Sequence, residues 1–216
     1  MVNLVMMKKR NFILLVAAGL LSMATGCSKV DEDPVENNGK SIVVYFSNPL
    51  PDVDAVAGAS ITVKDGRKYG SVQYMAEFIK EETASDIHRI TVEEGHYPTV
   101  YRDLADFAND EKANNARPKL TSSVKLDDYD TIFLGTPIWW YTLPMPIFSF
   151  LDQYDLSGKK VIPFTAHEGS GLGGAPATIK VEEPDATVET NGFSARGTQA
   201  SSQDDAIKSW LKGLGY

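Results

Sequence analysis

Two hydrophobic rhythms alternate along this chain. Residues 41–46 (SIVVYF) form an unbroken apolar run with β-branched members, suited to a strand covered on both faces. Residues 87–92, 130–134 and 160–164 repeat that character, and residues 185–195 hold a candidate fifth strand. Between these runs the spacing turns helical. Val72, Met75, Ala76 and Ile79 mark a helix over residues 71–83, and Leu104, Phe107 and Ala108 another over residues 99–113, just after Pro98. Residues 144–154 begin with Pro144, which suits a first helical turn. Residues 202–214 close the chain with a stripe of Ile207, Trp210, Leu211 and Leu214, and Ser202 is placed to cap it with Asp205 three residues on. There is no internal repeat. Strand and helix alternating about five times predict an α/β fold: a doubly wound five-stranded parallel sheet between two helical layers. Five strands fit the order 2-1-3-4-5 better than a six-stranded dinucleotide-binding sheet.

The first 26 residues stand apart from this pattern. Lys8, Lys9 and Arg10 precede an apolar stretch, residues 12–21, too short to span a bilayer comfortably. Small residues then lead into Cys27, the only cysteine. The arrangement resembles a bacterial lipoprotein signal, residues 1–26, with Cys27 as the lipidated first residue of the mature chain. Residues 27–39 are polar and acidic and read as a flexible tether. The folded domain is then residues 40–216. The expected location is the cell envelope, lipid-anchored, at the outer membrane or surface of a Gram-negative bacterium. Membrane contact is through the lipid alone.

At 216 residues and 43% hydrophobic, the chain supports one sizeable domain. Its net charge of −8 becomes −11 once the three basic leader residues are gone. So acidic a protein is unsuited to gripping phosphate backbones, and no nucleic-acid partner is expected. With Cys27 lipidated, neither disulfide nor thiol chemistry remains.

In a sheet of this order the loops after the first, third and fourth strands meet at the carboxyl edge, where ligands bind. The third-strand loop, Gly135-Thr-Pro-Ile-Trp-Trp-Tyr-Thr-Leu-Pro144, offers aromatic faces to a flat heterocycle. The fourth-strand loop, Thr165-Ala-His-Glu-Gly-Ser-Gly-Leu-Gly-Gly174, has four glycines that let backbone amides approach a ligand. It is not a serine nucleophile elbow, because Glu168 and Leu172 stand where G-x-S-x-G needs glycine. It is not a metal site either, since His88 and His96 are not at ligand spacing from His167.

Gly135-x-Pro-Ile-Trp-Trp followed by residues 154–173 (YDLSGKKVIPFTAHEGSGLG) resembles the flavodoxin-like family, over residues 40–216, in particular its standalone or secreted bacterial branch. The resemblance implies FMN as cofactor. Thr136, Pro137, Ile138, Trp139, Trp140 and Tyr141 would form one wall beside the isoalloxazine, with Trp139 or Trp140 stacked on it. Thr165, His167, Glu168, Gly169, Ser170 and Gly171 would line the other side. Ser47, Gly70, Ser71 and Gln73 would hold the phosphate at a helix amino end. Here the chain departs from the family. Residues 48–69 intervene as a 22-residue insertion, with a hairpin expected around Asp65-Gly66. Val72 stands where the family has a threonine hydroxyl, so a threonine there should tighten FMN. The flavin supplies the chemistry, and no catalytic acid, base or metal is expected. The implied function is a flavin-dependent redox lipoprotein, passing electrons or reducing a small acceptor. The alternative is a surface interaction module that keeps the fold without FMN.

Overall fold

The computed structural model describes residues 39–50 and 60–216. The expected leader, Cys27 and the tether as far as residue 38 lie outside the described residues, as do residues 51–59 of the insertion. The elements run β1 (Ser41–Phe46), β2 (Ile61–Lys64), β3 (Arg67–Gly70), α1 (Ser71–Thr83), β4 (Asp86–Ile90), α2 (Tyr101–Ala113), β5 (Thr131–Pro137) and α3 (Met145–Gln153). They continue β6 (Lys160–His167), α4 (Ala175–Glu182), β7 (Thr187–Val188), β8 (Phe193–Arg196), a 3₁₀ turn (Gly197–Ser202) and α5 (Asp204–Gly213).

The main sheet is ordered β4-β1-β5-β6, all neighbours parallel, and β6 then pairs with both β7 and β8. This is the doubly wound order expected from the sequence, with its fifth strand split in two. The split has a chemical cause. β7 pairs with Lys160 and Val161, and β8 with residues 164–167. The gap falls beside Pro163, which has no N–H for a ladder. There Gly192 passes so close that a Cβ would sit 2.6 Å from the Pro163 carbonyl oxygen.

Alternate β1 residues explain its unbroken apolar sequence. Ile42, Val44 and Phe46 face the core under α2, α3 and α4. Val43 and Tyr45 face the core under α1 and α5. Helix α1 buries the predicted Val72, Met75, Ala76 and Ile79. The predicted hairpin is β2–β3, and its turn residues Asp65 (φ 50°) and Gly66 (φ 76°) both adopt the left-handed conformation such turns need. It docks on the C-terminal region through Thr62 Oγ1 donating to Ser201 Oγ (2.8 Å) and Lys64 Nζ donating to Asp204 (2.9 Å).

Three local expectations are corrected. Ser202 does not cap the last helix: it ends the 3₁₀ turn, and its hydroxyl donates back to the Gln199 carbonyl. Helix α5 therefore starts at Asp204. Pro144 precedes α3 as its N-cap, while Pro146 occupies the first turn. The second strand stops at Ile90, and Val92 bridges to Leu120 instead.

Candidate functional site

A cavity of about 530 Å³ opens at the carboxyl edge of β1, β5 and β6, within the size range of small-molecule sites. Asn48, Leu50 and Ser60 border it from the two described ends of the insertion. Ile138, Trp139, Trp140 and Tyr141 come from the third-strand loop, and Glu168, Gly169 and Ser170 from the fourth. Helix α2 closes the remaining side with Tyr101, Leu104, Ala105 and Ala108.

The aromatic loop is a tight reverse turn. Trp139 and Thr142 exchange two backbone hydrogen bonds of 3.0 Å, and the two residues between them are Trp140 (φ 50°) and Tyr141 (φ 63°). Two central residues with positive φ are the geometry Asn-Gly adopts cheaply, whereas bulky aromatic residues there cost of order 1 kcal/mol each. The strain is held by a frame on either side. Ile138 N–H donates to Ala166 O at 2.9 Å, and Lys112 Nζ donates to Trp140 O at 2.8 Å.

The three aromatic residues have different surroundings. Trp139 is partly buried and meets Phe46 (5.7 Å, 82°) and Tyr97 (5.2 Å, 86°) edge to face. Tyr97 donates its hydroxyl to the buried Glu111 carboxylate at 2.8 Å, and Glu111 also bonds His96 Nε2 at 2.9 Å. Burial, and then Glu111, push the Tyr97 phenol well above its ordinary range, so it stays protonated and anchors the cluster. Trp140 lies against α2, its indole N–H donating to Ala105 O at 2.8 Å. Tyr141 is 82% exposed.

The fourth-strand loop is shaped by its own backbone. Thr165 Oγ1 donates to Gly171 O at 3.0 Å, and Arg196 Nη1 donates to Glu168 O at 2.6 Å. Gly171 (φ 60°) and Gly173 (φ 55°) are left-handed, and a Cβ on Gly173 would strike Ile138 at 2.6 Å. Glycine at 173 thus joins this loop to the aromatic one. His167 keeps Nδ1 buried without a hydrogen-bond partner. Burial and the neighbouring Arg196 lower its pKa, favouring the neutral imidazole.

The first-strand loop differs from expectation. Despite the insertion, Ser47 and α1 meet in space: Gly70 packs directly on Ser47 Oγ. Ser47, Gly70 and Ser71 are all buried, and none borders the cavity. The Ser71 amide donates to Ser60 O at 3.0 Å, and its hydroxyl is buried without a partner. Gln73 donates its side-chain amide to Glu77 at 2.8 Å. Val72, only 2% exposed, faces the core with Val43, Tyr45 and Met75. A threonine at 72 would bury its hydroxyl rather than offer it to a phosphate. The expectation that it would tighten FMN is therefore withdrawn.

Of the residues predicted from sequence, the cavity unites Ile138, Trp139, Trp140, Tyr141, Glu168, Gly169 and Ser170. Thr136, Pro137 and Thr165 are buried in the strands, the Thr136 hydroxyl donating to Pro137 O at 2.9 Å. His167 and Gly171 flank the cavity wall without forming it. Sequence reasoning predicted α2 but did not place it in the cavity wall. The signal was Tyr101, Leu104, Ala105 and Ala108 at i, i+3, i+4 and i+7, an apolar stripe that shares Leu104 and Ala108 with the core-facing one and extends it toward the cavity.

An inferred flavoprotein of Bacteroides uniformis ATCC 8492 is 26% identical, with a TM-score of 0.59 over 81% of this chain and 98% of its own. One from Bacteroides eggerthii DSM 20697 is 23% identical (TM-score 0.57; 83% and 99% covered). A flavoprotein of Lactobacillus acidophilus NCFM, solved in complex with FMN, is 21% identical (TM-score 0.55; 78% and 98% covered). No protein of curated function matches. The flavodoxin family matches residues 68–214, well over half of the sequence, and with the parallel sheet and the loops at its carboxyl edge this establishes that the chain belongs to the flavodoxin family.

Proposed function

We propose that this protein is a flavin-binding redox carrier. The observation that carries this reading is the cavity itself. It sets Trp139 and Trp140 across from the Glu168–Ser170 backbone at the carboxyl ends of β5 and β6. Aromatic faces suit an electron-poor ring, and a glycine-rich backbone suits the ring's polar edge. The FMN bound by the L. acidophilus protein supports a flavin as the ligand. The flavin supplies one- and two-electron chemistry when bound. The chain's part is to hold the ring, exclude water and place it near the surface. The purified protein is expected to absorb near about 375 and 450 nm, or after stripping to quench added flavin fluorescence. Colourless protein that leaves flavin fluorescence unchanged would defeat this reading.

The second reading is an interaction module without flavin. It is favoured by the buried amino end of α1, where the family resemblance places the phosphate.

For location we propose lipid anchoring at Cys27 in the cell envelope, supported by the basic and apolar leader ahead of it. Labelled palmitate is expected in the wild-type protein and absent from Cys27→Ser. Label retained in the variant would contradict anchoring at this residue.

A further inference from the structure

We propose that the cavity takes a flavin without a terminal phosphate, of the riboflavin class, in preference to FMN. This rests on the flavin reading above and specifies its ligand.

The amino end of α1 is closed. Gly70 is its N-cap and no side chain caps it, so its first-turn amides look suited to an anion. Yet Ser71 is fully buried and Val72 is 2% exposed. The Ser71 hydroxyl has no accessible surface and no partner. A donor meant for an incoming phosphate must be reachable, and this one is not. The Ser71 amide is already engaged by Ser60 O at 3.0 Å. Ser60 also borders the cavity. Its backbone therefore stands between the cavity and the helix end, and occupies an amide that an anion would need.

The cavity supplies no replacement. Among the described residues its wall carries one charged side chain, the Glu168 carboxylate, and neither lysine nor arginine. Arg89 borders a separate pocket on the other side of Asn48, where its guanidinium donates to the Ser47 carbonyl at 2.8 Å. The cation bound to the aromatic turn, Lys112, sits on the Trp140 carbonyl and is not part of the wall. A phosphate monoester brings about 1.5–2 negative charges at pH 7. Placed beside a carboxylate without a cation, it is disfavoured. Neutral hydroxyls meet a different set of partners. Asn48 keeps its side-chain Nδ2 buried and unpartnered at the cavity border, and Ser170 stands opposite. Such groups satisfy a polyol chain without adding charge.

The test titrates the flavin-stripped protein with riboflavin and with FMN, read by flavin fluorescence. Riboflavin is expected to bind at least about tenfold more tightly, a difference of about 1.4 kcal/mol. Equal affinities, or tighter binding of FMN, overturn the proposal while leaving the flavin reading intact. Binding of neither overturns both. Ser71→Ala supplies the second measurement: both affinities should be unchanged. A loss confined to FMN would show that phosphate reaches α1, and would also overturn the proposal.

Discussion

Trp139→Ala is expected to lower the free energy of unfolding by about 3 kcal/mol, the scale of large aromatic truncations in a core. Trp139 is the aromatic of the turn that is built into the molecule. Its ring packs edge to face on Phe46 and Tyr97, and Tyr97 is fixed by Glu111. The same ring borders the cavity, so flavin affinity should fall too, by roughly 1–3 kcal/mol if the indole stacks as bases do on aromatic side chains. Trp139→Phe separates the effects, restoring much of the packing while offering a smaller face. Trp140→Ala is the contrast. Its ring is 43% exposed, and its indole bond to Ala105 O is worth about 1 kcal/mol. Urea denaturation and flavin titration of the three variants give the answer. Wild-type stability in Trp139→Ala would refute the packing of this ring against the core.

Gly135→Ala should cost about 1–3 kcal/mol although the position lies in a regular strand, because overpacking has that cost in a core. Gly135 pairs with Tyr45 on one side and Phe164 on the other. An added Cβ would run into the Phe164 ring, which is fully buried and has no space to retreat into. The glycine at the head of the aromatic loop thus answers to a neighbouring strand, not to a ligand. Phe164→Leu in the same chain should return part of the loss, giving a favourable coupling of about 1 kcal/mol in a double-mutant cycle. Strictly additive losses in thermal or urea unfolding would place the strain elsewhere.

These two positions show what was legible in the sequence. The sheet was, because β1, β5 and β6 are buried on both faces and so read as continuous apolar runs. The split of the fifth strand was not assigned, although Pro163 signalled it: a proline inside β6 cannot donate to a neighbouring strand. The α1 stripe of Val72, Met75, Ala76 and Ile79 already put Val72 in the core. Comparison with the family's threonine put it at the phosphate, and the periodicity was the better guide. The closed amino end of α1 was beyond any local pattern, because it depends on where Ser60, within the insertion, meets the helix. The left-handed Trp140 and Tyr141 were equally hidden, since neither residue advertises that conformation.

The split strand has a consequence for how this molecule behaves among its own copies. A parallel sheet ends in rows of unpaired backbone groups that can recruit a second sheet and begin aggregation. One edge here is β7 and β8, two and four residues long, separated by the excursion opposite Pro163. The other is β4, where Asp86 and Arg89 carry charge along a five-residue strand and Asp86 is ion-paired with Lys40 at 3.0 Å. Neither edge offers a long, uncharged stretch to an approaching strand. The proline that interrupts the ladder thereby keeps this edge in two short pieces, a form that gives an approaching strand little to pair with.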